Sequence, residues 1–239
     1  MVSTLLNGLV SYWKLDTNNA TQPDEVGGND GTVTGATFTA SGKIGGAYSF
    51  DGVNDYISIV PSPVDFSLTS YTIGMWIYRD VDSSGFERLL SKGIFGTAQA
   101  DIFLQISNLD KIQFGWQNSG YTNNIYALGN TSIPVNTWTH VVGIFDDDSN
   151  TFKIYVNGVD DTGATTGTTS SARANGRNGL LFCHYPTTYY GFNGLLDETA
   201  IWNRALTTNE ITELYNDGEG NQYPFTTDTD NAIFNSHDF

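Results

Sequence analysis

The chain has 239 residues, 39% of them apolar, with 14 Phe, 13 Tyr and 5 Trp, enough to bury a large core without staples. Its 26 acidic groups against 10 basic ones give a formal net charge of −16, a field that repels phosphate backbones and anionic headgroups and so sets nucleic acid and membrane surfaces aside as partners. The single cysteine, Cys183, leaves no intramolecular disulfide to form, and no run of about 18 apolar residues is present to span a bilayer.

Taken in chain order, the residues read as strand and turn. The first residues carry neither the basic stretch nor the apolar stretch of a secretory signal. Residues 9–15 alternate, with Leu9, Ser11, Trp13 and Leu15 on one face. Residues 47–50 and 55–60 are strands divided by a turn over 51–55. Residues 71–78 set Ile73, Met75 and Ile77 against Thr72, Gly74, Trp76 and Tyr78. A short strand is expected at 86–91, a hairpin over 102–106 and 112–116, and a second hairpin over 138–145 and 152–156 across an acidic turn. Asn157-Gly158 then carries the type I′ turn signature.

Strands at 180–185 and 195–202 complete the set, with Cys183 in an apolar stretch that makes it a buried thiol. Thr207 and Glu210 form a capping box for one short helix, in which Ile211, Leu214 and Tyr215 fall on one face before Gly218 ends it. From 221 to 239 the texture is polar, interrupted by Tyr223, Phe225, Ile233, Phe234 and Phe239. That segment reads either as a frayed tail or as an arm whose apolar residues form an interface with a neighbouring chain. The partition is one domain over residues 1–220 and a tail or docking arm over 221–239.

Five stretches in order carry a family resemblance: residues 9–16 with 24–31, residues 42–57, Trp138-Thr139-His140-Val141-Val142, Ile154-Tyr155-Val156-Asn157-Gly158, and residues 192–206 followed by the capped helix. Together they resemble the laminin G-like, concanavalin A-like jelly-roll domains over roughly residues 8–217. The resemblance implies an all-β fold: a two-sheet antiparallel jelly-roll sandwich with one short C-terminal helix. It also implies a calcium site that pins the N-terminal loop to the last strand. The matching positions are Asp24 and Asn29, Asp197, and carbonyls near Gly27 and Gly28. Calcium prefers such oxygen-rich loops, but these residues read equally as ordinary turn formers and an amide-bonded Asp197.

Chemistry of a catalytic kind is not expected. A retaining glycosidase needs two carboxyls about 5–5.5 Å apart. Asp197 and Glu198 are neighbours, and on a regular strand neighbours point to opposite faces. His140 falls on a strand where the resemblance implies a structural residue. Glycan-binding candidates are aromatic rings beside carboxamides: Trp116, Tyr121 and Tyr126 in one group, Tyr189, Tyr190 and Asn193 in another. Any of these rings can instead pack between strands.

The expectation is a non-enzymatic display domain. A virion surface component, most simply of a phage, accounts for an exposed-protein texture without a secretion signal, because virions assemble inside the cell and leave by lysis. Its partners are then other virion proteins or copies of itself through the tail, with glycans as further ligands. The alternative is an extracellular or cell-surface carbohydrate-binding or adhesion module.

Overall fold

Period-two alternation decides which side chains the two sheets share. The structure is a computed structural model and describes residues 3–63, 66, 70–92, 101–117, 124–167, 179–183 and 190–225. Within these residues the strands are β1 (Leu9–Trp13), β2 (Thr21–Gln22), β3 (Gly31–Thr34), β4 (Thr37–Thr39), β5 (Ala47–Asp51), β6 (Tyr56–Ile59), β7 (Tyr71–Arg79), β8 (Glu87–Lys92) and β9 (Asp101–Ile106). They continue with β10 (Lys111–Gln117), β11 (Asn124–Ser132), β12 (Trp138–Asp146), β13 (Thr151–Val156), β14 (Val159–Asp160), β15 (Thr162–Thr166), β16 (Leu180–Phe182) and β17 (Asn193–Trp202). One α-helix follows, α1 (Thr208–Tyr215).

The pairings are antiparallel and make two sheets. The eight-stranded sheet runs β14-β13-β12-β7-β17-β5-β4, with β1 added on β17. The nine-stranded sheet runs β15-β11-β10-β9-β8-β16-β6-β3-β2. Their facing sides hold the main core: Ile73, Met75 and Ile77 of β7 with Val141 and Phe145 of β12 meet Ile102, Leu104 and Ile106 of β9 with Ile112, Phe114 and Trp116 of β10. At Gly143 the sheets approach closely, since a side chain there would run into the Phe114 ring at 2.6 Å. At one end the sheets are tied by charge: Arg79 of β7, buried, donates to Glu87 of β8 through Nε (2.9 Å) and to Asp110 in the β9–β10 turn through Nη2 (2.8 Å).

A second apolar cluster lies on the outer side of the eight-stranded sheet. Val142, Ile144, Ala200 and Trp202 point outward there, and Leu5, Leu206, Ile211, Leu214 and Phe225 cover them. Trp202 Nε1 donates to the Leu5 carbonyl (2.7 Å), so the buried indole is satisfied. The capping box forms as expected: the Thr207 hydroxyl accepts from the Glu210 amide, and the Glu210 carboxylate accepts from the Thr207 amide at 2.9 Å. Arg204 bonds the same carboxylate through both Nη atoms (2.9 and 2.6 Å) and reaches the Thr4 and Asn7 carbonyls, fastening α1 to the N-terminus.

Several expected boundaries shift for local reasons. The first strand ends at Trp13 rather than 15, because Leu15 turns the chain at φ 62°, and the strand expected over 180–185 ends at Phe182, because Cys183 turns at φ 61°. Cys183 is fully buried, and burial raises its thiol pKa well above the ordinary value. Strands β2, β3, β4, β11, β14 and β15 are additions to the expected set: β2, β3, β4 and β15 are short, rich in Thr and lack an apolar stripe, β14 has two residues, and β11 shifts register between Ala127 and Gly129. The domain edge also moves. Tyr223 packs on Tyr12 (ring centroids 5.7 Å apart), and Phe225, 3% exposed, meets Tyr12 at 5.4 Å and Trp202 at 6.4 Å. These two residues, expected in an interface with another chain, are spent inside their own domain. Ile233, Phe234 and Phe239 lie outside the described residues.

Two stability predictions follow from this packing. Thr207→Ala removes the cap of α1 and lowers unfolding free energy by about 1 kcal/mol. Phe225→Ala empties part of the second cluster and costs about 3 kcal/mol. Urea denaturation of the full chain measures both, and a Phe225→Ala change below about 0.5 kcal/mol would show that residues 219–225 do not seal the sheet.

Candidate ligand-binding face

The acidic residues singled out from the sequence, Asp24, Asp197 and Glu198, lie in two places. In the first, Asp24 lies beneath the N-terminal loop. Its Oδ1 accepts from the amides of Tyr12 (2.9 Å) and Val26 (3.1 Å), and its Oδ2 from the amide and the Nδ2 of Asn29 (both 3.0 Å). Burial opposes its ionisation, but those donors outweigh it and hold the pKa below the ordinary value. Gly27 packs against the same carboxylate, and Gly28 turns the loop at φ 70°.

The second place is β17. Asp197 Oδ2 accepts from the amides of Lys43 (2.8 Å) and Ile44 (3.0 Å), and its Oδ1 from the amide of Glu198 (2.8 Å). Asp24, Gly27 and Asn29 are therefore together, while Asp197 belongs to a different hydrogen-bond network. A carboxylate has about four acceptor positions. Amide donors fill all four on Asp24 and three on Asp197. No three His, Cys, Asp or Glu among the described residues are arranged to hold a metal ion. The residues expected as calcium ligands thus act in this arrangement as staples of their loops.

Asp197 and Glu198 also correct the expectation that they face opposite ways. The β17 register slips between Asp197 and Ala200, and Glu198 adopts φ 49° in that bulge. Both carboxyls end in one buried cluster. Glu198 accepts from the Tyr12 hydroxyl in a short bond and from Gln222 Nε2 (2.6 Å), which also reaches Asp16 (3.1 Å). Burial and then the Glu198 charge push the Asp197 pKa up to about 9, and burial above all pushes Glu198 up to about 8.

His140 sits nearby on β12, between Trp76 (5.1 Å) and Tyr215 (6.2 Å), and complete burial lowers its pKa to about 3. It is a neutral core residue under α1. Among the described residues this side of the sheet is covered by α1, Leu5, Leu206 and Phe225.

The other sheet face is the outer side of the nine-stranded sheet, where Tyr126, Leu128 and Leu181 are half-buried and Phe103, Gln105, Gln113 and Arg88 are buried. Register places Tyr126, Gly115, Phe103, Ser91 and Leu181 in one row across β11, β10, β9, β8 and β16. The next row holds Leu128, Gln113, Gln105 and Arg88. Phe103 and Tyr126 lie 6.4 Å apart over Gly115, where a side chain would strike the β11 backbone at 2.1 Å. The Arg88 guanidinium stands 5.0 Å over the Phe103 ring. Gln105 donates to Gln113 in a short bond, and both are buried beneath the surface of this face.

Of the aromatic residues named from the sequence, only Tyr126 belongs to these rows; it is half-buried on this face. Trp116 does not: it is 2% exposed and packs in the core against Phe152 (4.7 Å) and Phe145 (4.8 Å). Tyr190 sits at the margin, its carbonyl accepting from the Arg88 amide (2.8 Å) and its ring against Phe86 at 5.6 Å. Asn193 is tied to the Asp51 carbonyl on the other sheet (3.3 Å). Tyr121 and Tyr189 lie outside the described residues. Phe103, Gln105, Gln113 and Arg88 are not among the candidates named from the sequence. Parity is the signal that finds the first three: once Ile102, Leu104, Ile112 and Phe114 point inward, their neighbours must point outward.

The family model described as the concanavalin A-like lectin/glucanases superfamily matches residues 51–212, more than half of the chain. The chain belongs to this superfamily. No curated protein matches it. Among solved structures of similar fold, the fourth domain of an extracellular arabinanase from Geobacillus stearothermophilus, in complex with arabinotriose, superposes with a TM-score of 0.61 at 20% identity, over 85% of this chain and 96% of that one. The binding domain of Paraclostridial mosquitocidal protein 1 gives 0.68 at 16%, over 88% and 52%. Trypanosoma rangeli sialidase in complex with sialic acid gives 0.65 at 18%, over 92% of this chain and 34% of the sialidase, so the chain spans about a third of that enzyme's length. At these identities the likeness is one of fold.

The raised carboxyls give a prediction with a definite sign. Ordinary carboxyls ionise near pH 4 in the unfolded chain. The folded cluster therefore holds more protons between about pH 4 and pH 8–9, and its contribution to stability falls as pH rises through that window. Glu198→Gln imitates the protonated form. Its melting temperature relative to the unsubstituted chain should rise progressively from about pH 5 to about pH 9; a difference constant with pH would show that Glu198 is ionised in the fold.

Proposed function

We propose that this chain is a carbohydrate-binding domain that takes glycans on the outer face of its nine-stranded sheet. The observation that carries the reading is the half-buried Tyr126 ring, backed by Phe103 and with the Gln105–Gln113 pair in the next row beneath the same surface. Sugars offer C–H surfaces, which pack on aromatic rings, and hydroxyls, which exchange hydrogen bonds with carboxamides and guanidinium groups. Small-ligand sites combine an aromatic lining with few fixed polar groups in this way. The similar fold of a domain in complex with arabinotriose supports the same reading. The net charge of −16 selects against polyanionic glycans in favour of neutral ones.

The setting of that display, a virion surface or a cell surface, is part of the same proposal. Because Tyr223 and Phe225 are committed to their own domain, an assembly contact of the C-terminal segment is assigned to residues beyond 225.

Glycan-array binding of the full chain tests the function. The expected result is signal on neutral oligosaccharides, reduced about tenfold or more in Tyr126→Ala with an unchanged melting temperature. An array without signal, or signal indifferent to Tyr126→Ala, would contradict the proposed face.

A further inference from the structure

A second recess lies at the opposite edge of the sandwich, where the chain crosses from one sheet to the other. Strand β3 belongs to the nine-stranded sheet and β4 to the eight-stranded one, and only Gly35 and Ala36 join them. Gly35 makes the crossing at φ 77°, with its α-carbon so near Asp55 that a side chain would meet the carboxylate at 2.0 Å. The sharp step leaves a pocket of about 480 Å3 between the crossing, the loop before β2 and the β5 residue Tyr48. That volume is in the range of small-ligand sites, roughly 300–1,000 Å3.

The walls are built and held. Tyr48, buried, forms the inner wall with Phe38, whose ring lies against Gly46 and meets Tyr48 edge-on at 5.9 Å. The Tyr48 hydroxyl lies within hydrogen-bond distance of the Thr17 (2.9 Å) and Asn19 (2.8 Å) carbonyls. Fully buried Gln22 donates to that hydroxyl (2.8 Å) and to the Asn19 carbonyl (2.7 Å). The backbone of the 17–19 loop is thereby fixed from below. The side-chain carboxamides of Asn18 and Asn19 and the Thr37 hydroxyl stay on the exposed rim and make no hydrogen bond within the described protein. A rim fixed before binding loses little entropy when a ligand arrives.

The lining contains no charged residue, although the chain carries 26 acidic groups. With no carboxylate it lacks the charge that holds a cation firmly, and in a field of −16 it does not favour an anion. What remains complementary is a neutral polyhydroxyl ring: an aromatic wall for its C–H face, and two carboxamides with a hydroxyl for its oxygens. We infer that the pocket formed by Asn18, Asn19, Ala36, Thr37, Phe38 and Tyr48 is a binding site for a neutral mono- or disaccharide. Six strand spacings separate it from Tyr126, about 29 Å, so it acts independently of the nine-stranded face and makes the domain bivalent for glycan.

The test is a nitrogen-15 NMR titration of the full chain with methyl glycosides of glucose, galactose, mannose and arabinose, and in parallel with glucuronate and glucosamine. Saturable shifts of the Asn18 and Asn19 side-chain amides with at least one neutral sugar are expected. Affinity should fall about tenfold in Asn18→Ala/Asn19→Ala, should be lost in Ala36→Trp, which fills the recess, and should be unchanged in Tyr126→Ala. The first two substitutions are on the exposed rim, and melting temperature checks that the fold is kept. The inference is overturned if no neutral sugar gives saturable shifts at Asn18 and Asn19, if the affinity survives the double substitution, or if the charged sugars bind as well. Failure here leaves Tyr126-dependent array binding untouched, and loss of that binding leaves the pocket titration intact, so the two readings fail separately.

Discussion

A sandwich sheet has two faces, and only one of them meets the other sheet. In this chain the second face of the eight-stranded sheet must also be buried, because β12 and β17 place Val142, Ile144, Ala200 and Trp202 on it. Leaving four such side chains in water would forgo several kcal/mol of hydrophobic stabilisation. The α1 helix, the N-terminal residues around Leu5 and the segment ending at Phe225 exist in their positions to cover them. An eight-residue helix is marginal by itself, so α1 depends on this packing as much as the sheet depends on α1.

Sealing that side has consequences for the acidic residues. Asp16, Glu198, Tyr12 and Gln222 come from distant parts of the sequence and meet under the same cover, with Asp197 beside Glu198 in the bulge. The Asp197 and Glu198 carboxyls are buried, and burial pushes both pKa values up, a state suited to fixing a loop. The surfaces the cover does not reach are the outer side of the nine-stranded sheet and the recess where β3 passes to β4, and the proposed binding is placed on them. Both are furnished with rings and carboxamides instead of charges, apart from Arg88.

Local chemistry makes much of this fold legible in the amino-acid sequence. The alternation at 71–78, the hairpin turn at Asn157-Gly158 with φ of 49° and 77°, and the Thr207–Glu210 capping box all form as their residues dictate. The order of such motifs along the chain carries the superfamily. Other features depend on contacts that sequence spacing does not encode. The Trp116 ring suggests a ligand platform, although its parity with Ile112 and Phe114 sends it to the core. Regular alternation sends Glu198 to the face opposite Asp197, and a bulge with a left-handed backbone overrides that parity. The short Thr-rich strands carry no apolar stripe, so the pocket they frame has no signal in the sequence. The aromatic character of Tyr223 and Phe225 marks them as docking residues without saying on what: they dock on Tyr12 and Trp202 of their own chain.

The central claim is that one sheet face is sealed and the other receives glycan. Backbone amide shifts of the isotopically labelled chain, recorded with the oligosaccharide that gives the strongest array signal, test it most directly. The account predicts saturable shifts along β9, β10 and β11, centred on Phe103, Gly115 and Tyr126, with α1, β12 and β13 unmoved. Shifts confined to α1, β12 and β13 would contradict it, and so would shifts that never saturate.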